Sequence, residues 1–220
     1  LIGYYQNEIE SKKKDKETGK YLVEVILDKA EQKGTGKWTT QASLDLGVPV
    51  PTITSAVDSR IISSYKNERG EISKRTKLSY MNFSGDKEKL LSNLKSACYS
   101  SILISYAQGM HLLKIASKEF KYNLDLSEVA RIWKGGCIIR SKILNIIKEN
   151  YKKNSGLSHL FLADGFMNII SKNTESLRNI IIEMKKLRIP VMTMNSALDY
   201  YDSFSSKVLP ANLIQAQRDY

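Results

Sequence analysis

Residues 97–116, "ACYSSILISYAQGMHLLKIA", are apolar or small on nearly every side of a helix. Because a helix without a polar face must be covered by protein, it belongs in a core or in an interface between subunits. The helical pattern around this stretch runs from Asp86 to about Phe120, which corresponds to about 50 Å at ~1.5 Å per residue. We therefore expect one long, buried helix at the centre of the fold, within one chain or at a dimer interface.

Helical patterns also dominate the rest of the 220 residues, which contain only four prolines. Residues 66–85 are polar and predict a loop with a helical tail, and no alternating strand pattern exceeds about four residues. The sequence thus predicts an all-α, multi-helix single domain over residues 1–220. Apolar spacing and capping residues predict further helices over residues 21–32, Thr39 or Thr40 to Leu46, Pro51 to Ser64, Leu126 onwards, 138–150, Asn173 or Thr174 to Leu187, 194–204 and 209–220.

Two local features refine this helix assignment. Asp125 followed by Glu128 resembles a capping box at the start of the helix from Leu126. The pair Gly135–Gly136 lies in a helical pattern, where each glycine costs about 1 kcal/mol, so we expect a kink or a close helix crossing there.

The formal net charge of +11 suggests an anionic partner, which is a nucleic acid, an acidic membrane surface or a phosphorylated metabolite. The alternative is a lysine-rich, solvated surface without a specific ligand. The lysines form scattered clusters, whereas a nucleic-acid module more often has one concentrated basic patch. No apolar run reaches the ~18 to 20 residues of a membrane span. We therefore expect no nucleic-acid partner and no membrane partner.

Cys98 and Cys137 are the only cysteines, and both lie in apolar helical patterns. This placement indicates buried free thiols, which are typical of a reducing compartment, and predicts a cytoplasmic protein. The alternative is a structural disulfide between the two. A basic-then-apolar secretion signal is missing from the first residues, which begin Leu-Ile-Gly without a methionine. This start is what a fragment or a trimmed chain would have.

Residues 33–38, "KGTGKW", combine two lysines with two glycines between predicted helices. Trp38 follows Gly36-Lys37, so the segment is not a phosphate loop of the Walker type, and Thr39 breaks a dinucleotide G-x-G-x-x-G pattern. A glycine turn that leads into a helix N-terminus still presents free N–H groups and lysine charge to a phosphate or carboxylate. The alternative is a helix-stop glycine with surface lysines.

Arg60 lies among apolar residues of a predicted helix, where a buried guanidinium would need a partner. That partner is either an internal aspartate or a ligand oxyanion held by two hydrogen bonds. His111 and His159 lack further ligands at metal-binding spacing, so we expect no metal site. We assign His111 to the core or an interface and His159 to the surface. Asp199, Asp202 and the tyrosines between them predict an aromatic packing face with hydrogen-bonded caps.

Several longer motifs resemble one enzyme family, 6-phosphogluconate dehydrogenase (decarboxylating), in its C-terminal domain. The resemblance implies a helical domain in an intertwined homodimer. It also implies NADP-dependent oxidation of 6-phosphogluconate and loss of CO2 to give ribulose 5-phosphate, in the pentose phosphate pathway. The motifs follow the family's order along nearly the whole chain: "VILDKAEQKGTGKWTTQASLDLGVPVPTI", "SYAQGM", "WKGGCIIRS", "SALDYYD" and "LPANLIQAQRDY".

The resemblance also implies three substrate-binding residues. The family's substrate lysine in K-G-T-G-K-W falls on Lys33, with Lys37 as the second choice. Its substrate arginine, in a pattern like A-R-x-x-S-S, falls on Arg60, although Ser59 replaces the alanine. Its arginine in Q-A-Q-R-D-Y falls on Arg218, which in the family reaches the active site of the other subunit. Three cations would match a sugar phosphate with a carboxylate, which carries about three negative charges.

Other family features have no counterpart in the 220 residues. These are the N-terminal Rossmann domain that mainly binds NADP, the catalytic lysine and glutamate, and a partner-subunit histidine just beyond Q-A-Q-R-D-Y. The resemblance thus implies no catalytic and no cofactor-binding residue in this chain, and no dehydrogenase activity of the chain alone. The alternative function is a helical dimerisation module without ligand binding of its own.

Overall fold

A computed structural model of the protein describes residues 14–220 except positions 32, 77, 78, 80, 137 and 138. Its only β-type pairing in these residues is an isolated antiparallel bridge between Lys14 and Tyr21, so the prediction of an all-α fold is confirmed. The helices are α1 Leu22–Val25, α2 Thr35–Asp45, α3 Pro51–Ser64, α4 Lys66–Thr76, α5 Lys87–Glu119, α6 Leu126–Lys134, α7 Ile143–Lys153, a 3-10 turn Leu160–Leu162, α8 Asp164–Lys186, α9 Met192–Ser205 and α10 Ala211–Asp219.

Helix α5 is the central element that residues 97–116 predict. The Asp86 carboxylate caps its start by accepting the backbone N–H groups of Glu88 and Lys89 at 2.9 and 3.1 Å. No residue from 97 to 116 is exposed, so the chain itself covers most of this helix. Despite its length, neither α5 nor any other helix in the described part of the chain has the apolar composition needed to cross a bilayer.

The core forms where α8 packs along α5, with α6 and α7 as a second pair beside them. Helix α9 contacts both α5 and α3, and α2 packs on α3. These contacts attach α2 and α3, which carry Lys37 and Arg60, to one edge of the core. Core side chains that are fully buried include Leu103, Ile104, Met110, Leu144, Ile147, Leu160, Phe166, Ile170 and Leu177.

A buried polar contact fixes the start of α3 to α5. The Gln108 side chain is fully buried; its Oε1 accepts the backbone N–H of Thr52 at 3.1 Å and its Nε2 donates to Thr52 Oγ1 at 2.7 Å. The N–H groups of a first helical turn have no partner inside the helix, so Gln108 satisfies a group that would otherwise be buried unpaired. Pro51 occupies the first position of α3, as predicted.

The predicted helix over residues 21–32 is wrong beyond its first turn. The helix ends at Val25, and residues 27–31 continue without helical structure. The reason is a competing set of partners, because side chains of α3 and α4 bond the backbone of this segment. The next helix begins at Thr35, directly after Gly34, and not at Thr39 or Thr40.

Two further predictions about helix boundaries are corrected. Residues 66–76, predicted as loop, form helix α4, which is polar on all sides and carries a Lys74–Glu71 ion pair at 2.7 Å. Asn173 and Thr174 do not cap a helix, because α8 already begins at Asp164. Their side chains donate instead to the carbonyl groups of Ile169 and Ile170, one turn earlier.

The cap of α6 is confirmed, since Asp125 accepts the N–H groups of Ser127 and Glu128. The Glu128 carboxylate pairs with Arg131 at 2.5 Å and does not complete a capping box. Helix α6 ends at Lys134, with Gly135 as its cap, so the glycine pair terminates the helix and does not kink it. The predicted helix over 138–150 begins at Ile143.

The two cysteine predictions have different outcomes. Cys98 is a free thiol, but it is only half-buried in α5. Its partial burial raises the pKa of the thiol. Cys137 lies outside the described residues.

His159 is buried, with 7 % of its surface exposed, so its assignment to the surface is wrong. Its ring stacks on Phe204 at a centroid distance of 4.8 Å, and its Nε2 lies 2.8 Å from the Tyr200 hydroxyl. Its Nδ1 accepts the backbone N–H of Phe161 at 3.0 Å. Tyr200 and Phe204 of α9 thus form the predicted aromatic packing face, with both histidines against it.

The buried His159 ring predicts acid sensitivity. Burial, and secondarily the nearby His111, lowers its pKa from 6.5 to about 4. Between these pH values the unfolded chain binds the proton and the folded chain does not. Stability is therefore complete above about pH 6.5 and falls by up to about 3 kcal/mol as the pH drops toward 4. Urea denaturation from pH 7.5 to 4.5 measures this loss.

The matched variant is His159→Asn, which we expect to flatten the pH dependence of the free energy of unfolding. His111, whose pKa is also lowered by burial, is present in wild type and variant, so its contribution remains in both curves. Identical slopes for wild type and variant would show that another group titrates.

Candidate functional site

Two of the predicted site residues, Lys33 and Arg60, lie near the place where residues 28–31 run along α3 and α4. We call residues 28–31 the docked segment. Its first anchor is Asp28, whose carboxylate pairs with Lys66 and with Arg69 Nη1 at 3.1 Å. These two cations lower the pKa of Asp28, with the hydrogen bond from Lys66 as the main cause. Arg69 Nη2 also donates to the Asp28 carbonyl at 3.2 Å, so side chain and backbone are both held.

The second anchor is Ser63, near the end of α3. Its Oγ accepts the backbone N–H of Ala30 at 2.9 Å and lies 3.1 Å from the Ala30 carbonyl, to which it donates. The same hydroxyl lies 2.7 Å from the carbonyl of Arg60, so its one hydrogen is shared between two acceptors. One side chain therefore meets both backbone groups of a residue that has no secondary structure.

Arg60 supplies the third anchor. Its Nε donates to the Glu31 carbonyl at 3.1 Å, and its Nη2 donates to the same oxygen. The partner of Arg60 is thus the main-chain carbonyl of Glu31 and not an internal aspartate, which was one of the two alternatives from the sequence. A guanidinium carries five N–H groups. Since the side chain of Arg60 is exposed, the N–H groups not used for Glu31 remain accessible to an oxyanion.

The glycine turn follows the docked segment and starts α2. Gly34 has φ of 114°, which residues with a Cβ rarely adopt, and the Trp38 ring lies 3.4 Å from where its Cβ would be. Gly36, in the first turn of α2, lies so close to α3 that a Cβ there would be 2.5 Å from Val57 Cγ2. The two glycines thus have different roles, since one adopts a backbone conformation with positive φ and the other permits close packing.

The docked segment, the glycine turn and α2 run antiparallel to α3 and α4 in a continuous register. Lys33 follows Glu31, whose carbonyl binds Arg60, by two positions, so its Cα lies within about 7 Å of the Glu31 Cα. Its side chain is exposed. The facing positions are Asp28 with Arg69, Ala30 with Ser63, Glu31 with Arg60, Gly36 with Val57 and Thr40 with Thr54.

Lys37, the second choice for the substrate lysine, lies on the far side of the turn. It lines a pocket of about 170 Å³ between α2 and α3, together with Asp58, Thr40 and Thr54. The Asp58 carboxylate makes this pocket less suited to an anion than the surface beside Arg60.

Arg218, the third predicted site residue, lies near the end of α10. The whole stretch 203–220 is exposed, including Leu213 and Ile214 at 65 % and 60 %. The covered core of the chain therefore does not extend to α10.

Sequence reasoning missed the anchoring residues Asp28, Ser63 and Arg69. A partial signal exists for Ser63 and Arg69, because each follows a basic residue, Arg60 or Lys66, by three positions. Residues three positions apart are neighbours on a helix surface.

Comparison with known proteins identifies the family. The model of the "6-phosphogluconate dehydrogenase, C-terminal domain" family matches residues 5–220. The chain belongs to the 6-phosphogluconate dehydrogenase family. A relative from Lactococcus lactis, named 6-phosphogluconate dehydrogenase, decarboxylating, is 47% identical over 209 residues, which cover 95% of this chain and 44% of that protein. One from Bacillus subtilis, named as the NADP(+)-dependent decarboxylating enzyme, is 48% identical over 94% of this chain and 45% of its own length.

The fold of the family is also shared at the level of solved structures. The Plasmodium falciparum 6-phosphogluconate dehydrogenase, studied in its apo form, with NADP+ and with 6-phosphogluconate, matches with a TM-score of 0.88 and 41% identity. The match covers 94% of this chain and 45% of that one. The chain thus spans a little less than half the length of the family members it matches.

The contact between Gly36 and Val57 generates a prediction about stability. Inside a helix, alanine is more favourable than glycine by about 1 kcal/mol. At position 36, however, the methyl group of alanine would overlap Val57. We expect Gly36→Ala to destabilise the fold by about 1–3 kcal/mol through this overlap, measured by urea denaturation.

Gly70 in the exposed helix α4 is the matched control, because nothing lies within 4 Å of its added Cβ. Gly70→Ala should be neutral or stabilise by up to about 1 kcal/mol. Adding Val57→Ala to Gly36→Ala should recover part of the loss; strictly additive effects would contradict a direct overlap.

Proposed function

We propose that this chain is the substrate-binding and dimerisation domain of an NADP-dependent, decarboxylating 6-phosphogluconate dehydrogenase. The whole enzyme oxidises 6-phosphogluconate and releases CO2 to form ribulose 5-phosphate, in the pentose phosphate pathway and in the cytoplasm. The observation that carries the proposal is that Arg60 binds the backbone of Glu31, two positions before Lys33, in a chain of this family. The relatives that act on this substrate are similar over almost the entire chain.

The chemistry of the two side chains suits a sugar phosphate that also has a carboxylate. Lys33 contributes a compact positive charge with three donors, and Arg60 a planar fork that matches phosphate or carboxylate oxygens. Both are exposed in the chain, so a ligand reaches them without rearrangement of the core. Their role is to bind the substrate and fix its orientation, which lowers the entropic part of the reaction barrier.

The cofactor NADP accepts the hydride when it is bound. The described residues contain no strand, and the sequence has no dinucleotide fingerprint, so they do not provide a dinucleotide-binding fold. We assign cofactor binding and the proton transfers of catalysis to another part of the enzyme. That part corresponds to the portion of the relatives' sequences that this chain does not match. The isolated 220-residue chain is accordingly inactive.

Removing either cation tests the substrate assignment in the full-length enzyme. We expect Lys33→Met and Arg60→Met each to raise KM for 6-phosphogluconate about tenfold or more, because a charge-assisted hydrogen bond contributes about 1.5–3 kcal/mol. The KM for NADP should stay unchanged. Steady-state kinetics with each substrate varied in turn provide both constants.

Lys172→Met is the control for loss of one positive charge, because Lys172 is exposed on α8, outside the site. It should leave both KM values unchanged. An unaltered KM for 6-phosphogluconate in the Lys33 and Arg60 variants would refute the assignment. Equal increases in all three variants would indicate only long-range attraction of the substrate by net charge.

We further propose that the enzyme is a homodimer in which Arg218 serves the active site of the other subunit. The exposure of α10 supports this, because Leu213 and Ile214 offer apolar surface that a partner chain would cover. An exposed arginine at the end of such a helix is also free to reach an anion held by another subunit.

Complementation between two variants with weakened substrate binding tests the exchange, assayed at a 6-phosphogluconate concentration well below the KM values of the variants. One subunit carries Lys33→Met with Arg60→Met, and the other carries Arg218→Ala. In a mixed dimer, one site then lacks all three cations and the other has all three. Co-refolding equal amounts should restore about a quarter of wild-type activity, since roughly half of the dimers are mixed and each has one complete site. If Arg218 serves its own subunit, no activity returns.

A further inference from the structure

We propose that Ser63 is a positioning residue for substrate binding, which holds the docked segment so that Lys33 keeps a fixed place beside Arg60. This inference rests on the proposed function, because it assumes that Lys33 and Arg60 bind one anion. Ser63 itself does not contact the substrate in this proposal, and its hydroxyl acts through the backbone of Ala30.

Ser63 is distinguished from the other anchors of the docked segment by its hydrogen-bond geometry. It is the described side chain that meets both the N–H and the carbonyl of one residue there, at 2.9 and 3.1 Å. Two contacts to Ala30 from opposite sides restrict both displacement and rotation of this peptide. Lys33 follows three residues later, about 10 Å along an extended chain.

Apolar packing and exposed ion pairs contribute little to holding this part of the chain in place. The residues before the docked segment are exposed, with Ile26 at 58 % and Leu27 at 65 %, so apolar packing does not fix the segment. The Asp28 ion pairs are also exposed, and exposed pairs contribute little to stability because water and salt screen them. Ala30 is half-buried, and its N–H and carbonyl need partners where water has limited access.

Ser63 is also linked to both neighbouring anchors. Its hydroxyl hydrogen bonds with the Arg60 carbonyl at 2.7 Å, and its own carbonyl accepts from Arg69 Nη2 at 3.2 Å. Arg69 in turn holds Asp28. Loss of the hydroxyl therefore loosens the docked segment between two remaining anchors. The expected effect is a changed distance between Lys33 and Arg60, and not general unfolding.

The test compares adjacent serines in the full-length enzyme. Ser63→Ala should raise KM for 6-phosphogluconate about three- to tenfold, the equivalent of one hydrogen bond, with kcat and KM for NADP nearly unchanged. Ser64→Ala is the control, because the Ser64 hydroxyl bonds only the Ile61 carbonyl of its own helix, at 2.7 Å. It should leave all three constants unchanged. Ser63→Thr keeps the hydroxyl and should restore most of the affinity.

The readouts separate positioning from stability. If Ser63 were only structural, its alanine variant would lower the melting temperature and the active fraction, but the KM of the folded enzyme would stay the same. That result would overturn the inference. If Ser63→Ala fails to fold, Ser63→Cys, which keeps the size but donates weakly, is measured instead and should raise KM in the same direction.

The Lys33 and Arg60 variants distinguish failure of the Ser63 inference from failure of the substrate assignment on which it rests. If these variants raise KM and Ser63→Ala does not, the inference fails and the substrate assignment stands. If none of the three raises KM, the substrate assignment itself fails, and the inference with it.

Discussion

The hydrogen-bonding requirement of an unpaired backbone governs the candidate site. Residues 28–31 have no helix or strand to satisfy their peptide groups, so side chains of α3 and α4 take that role. Because these donors and acceptors have fixed places on the helices, they also fix the path of the chain. This path also limits how far Lys33 can lie from Arg60, because Glu31, which Arg60 binds, is only two positions earlier.

The rest of the fold gives α3 a rigid support. Helices α5 and α8 form the apolar core, α9 packs against both α5 and α3, and Gln108 bonds the first turn of α3. An α-helix that is held at its start and along one side displaces little. The exposed Arg60 side chain on α3 is therefore accessible to an anion while the helix keeps its position fixed.

The sequence predicted the elements whose signals are local. Helix α5 was recognisable because residues 97–116 lack a polar face, and Asp86, Asp125 and Pro51 occupy the cap positions that their chemistry favours. The segment after Val25 was mistaken for helix because its apolar spacing is helical, and the competing partners at Ser63 and Arg69 are more than 30 residues away. His159 was misassigned for the same reason, since its partner Tyr200 lies 41 residues later. At the site, motif similarity identified Lys33 and Arg60. The residues that anchor the neighbouring backbone are recognisable only in the three-dimensional structure.

The antiparallel register of residues 28–40 with α3 and α4 has a consequence for how this region folds. Its contacts are nested, from Thr40 with Thr54, which are 14 positions apart, to Asp28 with Arg69, which are 41 apart. The innermost contact closes the shortest loop, and each later contact then adds only a few residues to a loop already closed, so the entropy lost per step is small. The two chain sections are thus suited to pair progressively from the α2–α3 connection outward, and the contact between Glu31 and Arg60 forms midway through that process.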